Sequence, residues 1–300
     1  MKEQIEELPK PEGPHAKWRQ DVKREEWIST SMGDNPEDPG QIEQNREVMD
    51  ARIKGLGEVM KDADFWWQLD GGMNISAQEG EYVRVHADID ISLKSEELEK
   101  AEEYLKERGY GFFVTYKRDR EGEDGSRVFR RVGAADLLRE DMLTGEEKDR
   151  HVSDRIAAID DPTGKIRNDA GFVSADLAIV ERDSDGHYRG RLGVVMPDEW
   201  MAGRRIEFKG VEINLSHPAR FMFNKIIWDR PHDRRDIERY AKAGSITLTD
   251  LTELEPVLDE LFSRTQSEIA QENDENKRNR IIRRIEYAKE MLGKLHEWVY

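Results

Sequence analysis

Cysteine is missing from all 300 residues, which excludes disulfides, thiolate catalysis and cysteine-ligated zinc and says little about compartment. Long apolar runs are missing too. No stretch approaches the ~20 apolar residues that would span a bilayer. The opening MKEQIEELPKPEG is acidic and lacks the apolar core of a secretory signal. A soluble cytoplasmic protein with no membrane partner is the default expectation. An excess of positive charge is also absent: 48 Lys and Arg face 65 Asp and Glu, for a formal charge of −17. Neutralising a phosphate backbone needs clustered cations, so a nucleic-acid partner is disfavoured, although a local basic cleft is compatible with the totals. A field of this sign favours metal ions and cationic partners.

What is present is polar. Apolar residues make up 36% and charged residues 38%, and the mean hydropathy is −0.87. Long solvated helices with charged faces account for such a balance. The length suits one large domain or two ordinary ones.

Three blocks emerge along the chain. Residues 1–40 carry Pro9, Pro11, Pro14, Pro36 and Pro39 among many charges and read as an arm or linker. A short helix is expected near Lys17–Ile28, with Trp18 and Trp27 docking the arm onto the body. Residues 41–215 read as a mixed catalytic block. Ile42, Met49, Ile53, Leu56 and Met60 recur at helical steps and predict an amphipathic helix over Gln41–Ala63, weakened by Gly55 and Gly57. A short strand at Phe65–Leu69 follows, ending at Asp70-Gly71-Gly72. Ser95 is expected to cap a helix that stops before Gly109. Strands are expected at Phe112–Tyr116, Val128–Val132, Arg155–Ile159, Phe172–Arg182, Tyr188–Val195 and Arg205–Leu215, with Ser184-Asp185-Gly186 as a hairpin turn. Residues 216–300 read as helical, interrupted at Pro231 and again at Gly244–Thr249. The last helix, over Gln271–Val299, presents a face that is solvated or packs against a second copy, so a homo-oligomer is compatible with it. This order implies an α+β fold with a C-terminal helical part.

The chemistry concentrates in Val83–Leu93. Odd positions are apolar, while the even ones include Arg84, His86, Asp88, Asp90 and Ser92. On a strand, that period places His86, Asp88 and Asp90 on one face, the two carboxylates roughly 7 Å apart. Two carboxylates behind a Gly-Gly turn form a hard-oxygen cation site, suited to magnesium shared with substrate phosphates. A third carboxylate would let two ions grip the attacking and leaving oxygens. Asp176 in VSADLAIV is the candidate because it alternates with Ala175, Leu177 and Ile179; Asp160, Asp161 and Glu181 compete with it. Gly71 and Gly72 let backbone approach a phosphate. His86 could belong to a zinc site, but the other histidines form no spaced pair, so it is read as orienting a carboxylate or touching substrate.

The stretch LDGGMNISAQEGEYVRVHADIDISL resembles the nucleotidyltransferase-fold motif, a Gly-Gly pair followed by Asp-x-Asp. It is similar in particular to the aminoglycoside 2″-adenylyltransferase and lincosamide nucleotidyltransferase group, which runs Leu-Asp-Gly-Gly into His-x-Asp-Ile-Asp at this interval. The resemblance covers about Gln41–Leu93 and, more loosely, Phe172–Tyr240; the arm and the last sixty residues have no counterpart. It implies a mixed β-sheet flanked by helices, with Asp88, Asp90 and Asp176 as the catalytic and metal-binding carboxylates. HPARFMFNKIIWDRPHDRRDIE resembles the group's later helix, which makes Lys225 a triphosphate contact beside Gly71, Gly72 and His86. Asp233 and Arg234 are read instead as a helix cap and charge pair. Met73 departs from the serine that follows the two glycines in much of the wider fold, and the antibiotic-modifying branch often carries a bulky residue there.

The implied reaction moves a nucleoside monophosphate, AMP from ATP or another nucleoside triphosphate, to a hydroxyl of a small and preferentially cationic acceptor. Two Mg²⁺ ions would assist and pyrophosphate would leave. Alternatives from the same residues are a toxin-like transferase acting on tRNA or protein, a catalytically silent nucleotide-binding module, and a metal-dependent hydrolase.

Overall fold

The computed structural model describes residues 37–86, 88–108, 110–117, 127–137, 152–157, 175–190, 193–228, 230–272 and 274–299. The expected arm lies almost wholly outside these residues, as do Asp160 and Asp161. Contacts divide the chain into two compact units that interleave in sequence. They do not follow the contiguous blocks drawn above, because a short early segment packs with the helical C-terminal part.

The first unit opens with helix α1, Pro39–Met60. Asp38 caps it by accepting from the Gln41 N–H at 3.0 Å, and Pro39 occupies the first turn, where its missing N–H costs nothing. Val48, Met49, Ile53, Leu56 and Val59 are buried on one face. Gly57 lies on that face where a Cβ would stand 2.1 Å from Val211 Cγ1, so glycine is required by close approach. Strand β2 is Asp90–Lys94, and a 3₁₀ turn at Ser95–Glu97 leads into α3, Leu98–Glu107. The N-cap positions are Lys94 for the turn and Glu97 for the helix, so Ser95 lies inside the turn and is not the helix cap; Glu97 turns back to accept from the Trp66 N–H at 2.6 Å. Strands β3 (Phe112–Lys117), β4 (Arg127–Val132), β5 (Val152–Ala157) and β6 (Ala175–Arg182, of which residues 179–182 count with the second unit) complete the unit's sheet, with the short helix α4 at Ala134–Leu137. Their order is β4-β3-β5-β6-β2, with antiparallel pairing from β4 through β6.

The second unit contains β1 (Trp67–Asp70, of which Trp67 counts with the first unit), α2 (Met73–Glu79), β7 (Tyr188–Arg189), β8 (Val195–Met196), β9 (Arg204–Phe208) and β10 (Val211–Leu215, of which Val211 and Glu212 count with the first unit). Parallel pairing sets Leu69 beside Leu215. Four helices follow: α5 (Pro218–Trp228), α6 (Pro231–Lys242), α7 (Leu248–Gln271) and α8 (Glu275–Val299). Phe221, Met222, Phe223, Ile226 and Ile227 bury α5 on nearly all sides, and α7 and α8 pack on it and on each other. Pro231 starts α6, and Asp233 in its first turn accepts from the Arg230 N–H at 3.3 Å and from Arg230 Nε at 2.7 Å, so the charge partner of Asp233 nearby in sequence is Arg230 and not Arg234.

The architecture is α+β. Several local expectations need correction. The strand expected over Val83–Leu93 begins only at Asp90, because residues 83–86 are buried at every position and do not alternate. Their backbone is held by side chains instead of a ladder. The unforeseen helix α2 fills the stretch after Gly72. Arg205–Leu215 is not one strand but β9 and β10, reversed by Lys209 and Gly210 at φ 53° and 77°. Two successive positive φ values are the signature of a tight hairpin turn. Tyr188–Val195 likewise divides into β7 and β8, which pair with each other.

Candidate active site

In the first unit, the segment leading into β2 alternates from Asp88 onward. Asp88 is exposed, Ile89 buried, Asp90 half-buried and Ile91 buried. Asp176, the second residue of β6, is half-buried between the buried Ala175 and Leu177. Its backbone N–H donates to the Ile89 carbonyl at 2.7 Å. Strand pairing thus brings Asp176 level with the peptide between Asp88 and Asp90. Glu181, a rival for the third carboxylate, is exposed near the far end of β6 and pairs in register with Arg189.

His86 sits differently from its expected place on the carboxylate face. It precedes the strand, is 2% exposed, and its peptide is clamped by Asn45 of α1. The His86 N–H donates to Asn45 Oδ1 at 3.0 Å and the Asn45 amide donates to the His86 carbonyl at 3.2 Å. Arg52, two turns further along α1, is 1% exposed. Burial lowers its pKa to about 10, and the charges of Asp88 and Asp176 act in the opposite sense. It therefore stays cationic at neutral pH. Neither Asn45 nor Arg52 was singled out from the sequence. The signal was present: both are polar residues on the apolar stripe of an amphipathic helix, in step with Met49 and Leu56.

In the second unit, Gly71 adopts φ 62°, a left-handed conformation that favours glycine. Its N–H turns inward to Asp70 Oδ1 at 3.1 Å, and Gly72 heads α2. Asp70 is buried. Its Oδ2 accepts from Arg220 Nη2 at 2.9 Å and its Oδ1 from the Ser216 hydroxyl at 3.3 Å. Arg220 Nη1 donates to Gln68 Oε1 at 2.6 Å, and the Asn74 amide donates to Ser216 Oγ at 2.8 Å. Burial lowers the Arg220 pKa, and the Asp70 charge opposes that shift. The Gly-Gly turn is anchored by this network.

Lys225 requires a correction. It was expected to meet a triphosphate, yet it is 3% exposed. Its ammonium donates to Asp233 Oδ1 at 2.9 Å and Asp236 Oδ2 at 2.7 Å, linking α5 to α6. An ammonium held between two buried carboxylates is a structural tie.

Among the described residues, no group of three or more His, Asp or Glu side chains is gathered closely enough to hold a metal ion alone. The donors present are nevertheless of the right kind. Asp88 offers carboxylate oxygens at an exposed position and Asp90 at a half-buried one, and magnesium commonly binds through one or two carboxylates plus phosphate oxygens. The site fits a hard cation delivered with a nucleotide better than a protein-only cage.

The family model for aminoglycoside-2″-adenylyltransferase matches residues 31–122. The matched segment is the one whose residues carry the resemblance, and it includes Gly71, Gly72, His86, Asp88 and Asp90; Asp176 and Lys225 lie beyond it. Among solved structures, the chain is similar to the solution structure of the antibiotic-resistance factor ANT(2″)-Ia. The likeness covers 77% of this chain and 98% of that one at 14% identity, with a TM-score of 0.41. No curated protein matches the chain. Among the described residues, no helix is long and apolar enough to cross a membrane.

Proposed function

We propose that the chain is a nucleotidyltransferase that moves AMP from ATP to a hydroxyl of a small, preferentially cationic molecule. The observation that carries this reading is the hydrogen bond that sets Asp176 beside the Asp88–Asp90 pair, within and next to the segment matched by an adenylyltransferase family. An acceptor oxygen attacks the α-phosphorus, the bond to the β-phosphate oxygen breaks, and pyrophosphate leaves. Asp88 and Asp90 would hold Mg²⁺, and Asp176 would share that role. When bound, the ions neutralise phosphate charge and polarise the α-phosphoryl group. Asp176 would also take the acceptor proton. Gly71 and Gly72 remain assigned to the triphosphate, while Lys225 no longer is.

The acceptor assignment rests on charge and on the family matched. A net charge of −17 repels a polyanion at long range and attracts an aminosugar. The test is pyrophosphate release from ATP and magnesium, screened against aminoglycosides, lincosamides and total tRNA. Small-molecule turnover is expected, falling about 10³-fold or more in Asp88→Asn and Asp90→Asn, or ~4 kcal/mol in barrier. Labelled AMP appearing only on tRNA would reverse the acceptor assignment. Full turnover in both variants would remove the carboxylates from the reaction.

A further inference from the structure

Helix α1 carries two polar side chains where its pattern calls for apolar ones, and both act on the carboxylate segment. Asn45, Met49 and Arg52 fall at steps of four and three, hence on one face. Asn45 grips both polar groups of the His86 peptide, at 3.0 and 3.2 Å, just ahead of Asp88. Arg52 has Asp88 and Asp176 within electrostatic reach and directs Nη1 at Met49 Sδ, 3.5 Å away, on its own helix. Desolvating a guanidinium is costly, and such a group is tolerated in a core only where opposite charge offsets the loss. The two carboxylates supply that charge from β6 and from the segment that leads into β2, which meet where the Asp176 N–H donates to the Ile89 carbonyl.

We propose that Asn45 and Arg52 are a positioning pair for the transfer reaction. Asn45 fixes the backbone that leads to Asp88. Arg52 is a resident cation that holds Asp88 and Asp176 in place and offsets part of their charge while no divalent ion is bound. The inference rests on the nucleotidyltransferase reading and adds a consequence to it. A site already partly neutralised binds free divalent ions weakly and binds them well only when a triphosphate brings further negative charge. Arg52 would thereby couple ion capture to nucleotide capture.

The two effects of removing Arg52 have opposite signs, which separates them from simple damage to the fold. Mn²⁺ binding to the full chain without nucleotide, followed by the loss of the free-ion resonance signal, reads the first. In Arg52→Met the affinity is expected to rise about tenfold, the effect of ~1.4 kcal/mol of lost repulsion, while kcat falls. Arg52→Lys keeps the charge and should restore wild-type Mn²⁺ affinity to within about twofold. Asn45→Ala should lower kcat with little change in nucleotide KM. An Arg52→Met protein that folds and binds Mn²⁺ no more tightly than wild type overturns the proposal. Asp88→Asn serves as the separate control: if it leaves Mn²⁺ affinity unchanged, the metal-carboxylate reading fails, independently of Arg52. Should Arg52→Met not fold, the double variant Arg52→Met/Asp176→Asn removes both charges and is expected to recover much of the lost urea midpoint. A double variant no more stable than the single one means that the two charges are not coupled, and the proposal falls.

Discussion

Asp70 and Asp88 belong to the same acidic stretch of sequence and have opposite fates. Asp70, in the second unit, is 3% exposed and neutralised by Arg220, with Ser216 taking up its other oxygen. Asp88, in the first unit, is exposed and lies in the field of the buried Arg52. The comparison extends to Asp233 and Asp236, which close on Lys225 in the interior of the second unit. Carboxylates whose charge is satisfied by a buried protein cation build structure. Asp88 keeps an exposed carboxylate, and it is this one that the proposed function assigns to an external cation. The difference lies in the partner, and the partners come from far away in sequence.

The sharpest way to break this comparison is to remove the partner. Arg220→Met leaves the Asp70 carboxylate buried without its cation and should cost about 3–5 kcal/mol in urea unfolding, against under ~0.5 kcal/mol for the exposed Asp88→Asn. Equal losses in the two variants would dissolve the distinction. Lys225→Met should cost a similar amount, about 3–5 kcal/mol, because two buried carboxylates lose one ammonium. It also sharpens the correction made for this lysine. A folded Lys225→Met protein that no longer binds triphosphate would return Lys225 to the phosphate site. The same cluster sets an acid limb. Burial pushes the Asp233 carboxyl up, but Lys225 and Arg230 overcome it and hold the group below its ordinary value. A depressed folded pKa adds stability above the unfolded value, ~3.9, and that stability is lost as pH falls through the folded one. The urea midpoint should therefore drop on acidification below about pH 4, and Lys225→Met should move the drop to higher pH.

A steric variant probes the same anchor without touching charge. Gly203 sits at φ 63°, and a Cβ there would stand 2.2 Å from Gln68 Nε2 and 2.5 Å from the Leu215 carbonyl. Gln68 is the second partner of Arg220, so Gly203→Ala should strain the network that holds the Gly-Gly turn. A loss of about 1–3 kcal/mol in urea unfolding is expected. No loss would show that the turn tolerates a displaced Gln68.

What was legible in the sequence follows the same division. The elements α1, β3, β4, β6 and the helices after His217 lie close to their expected places, and α1 could be read because its buried residues recur at helical steps beside a wet face. Helix α2 could not, because Met73, Asn74, Ile75, Ser76 and Ala77 are all buried and show no stripe. Gly80, at φ 80° beyond its end, was the one local sign of a helix stop. Alternation and resemblance singled out Asp88, Asp90 and Asp176 together, and the Asp176 N–H does meet the Ile89 carbonyl between the first two. Their supporting residues were not, since Asn45 and Arg52 act across long intervals of sequence. Lys225 was misread because local sequence cannot distinguish an exposed helix lysine from one facing two aspartates of the next helix.

The smallest expected effect comes from an ion pair that satisfies geometry but keeps its water. Arg239 of α6 donates from Nε and Nη2 to the two carboxylate oxygens of Glu79, the last residue of α2, at 2.7 and 2.9 Å. The paired side chains are 42% and 20% exposed, against 2% and 5% for Arg220 and Asp70. Two parallel bonds make this a favourable form of surface pair, yet solvent screens its charge and ordering both side chains opposes it. Glu79→Gln keeps the shape and one acceptor oxygen while deleting the charge. It should cost about 0.5–1 kcal/mol in low salt, shrinking toward zero near 1 M salt as the screening length falls to ~3 Å. The Arg220–Asp70 pair should keep its contribution over the same salt range, because no ions reach it. A Glu79→Gln loss that exceeds ~2 kcal/mol and resists salt would place this pair with the buried ones, and exposure would then no longer separate structural from available carboxylates in this protein.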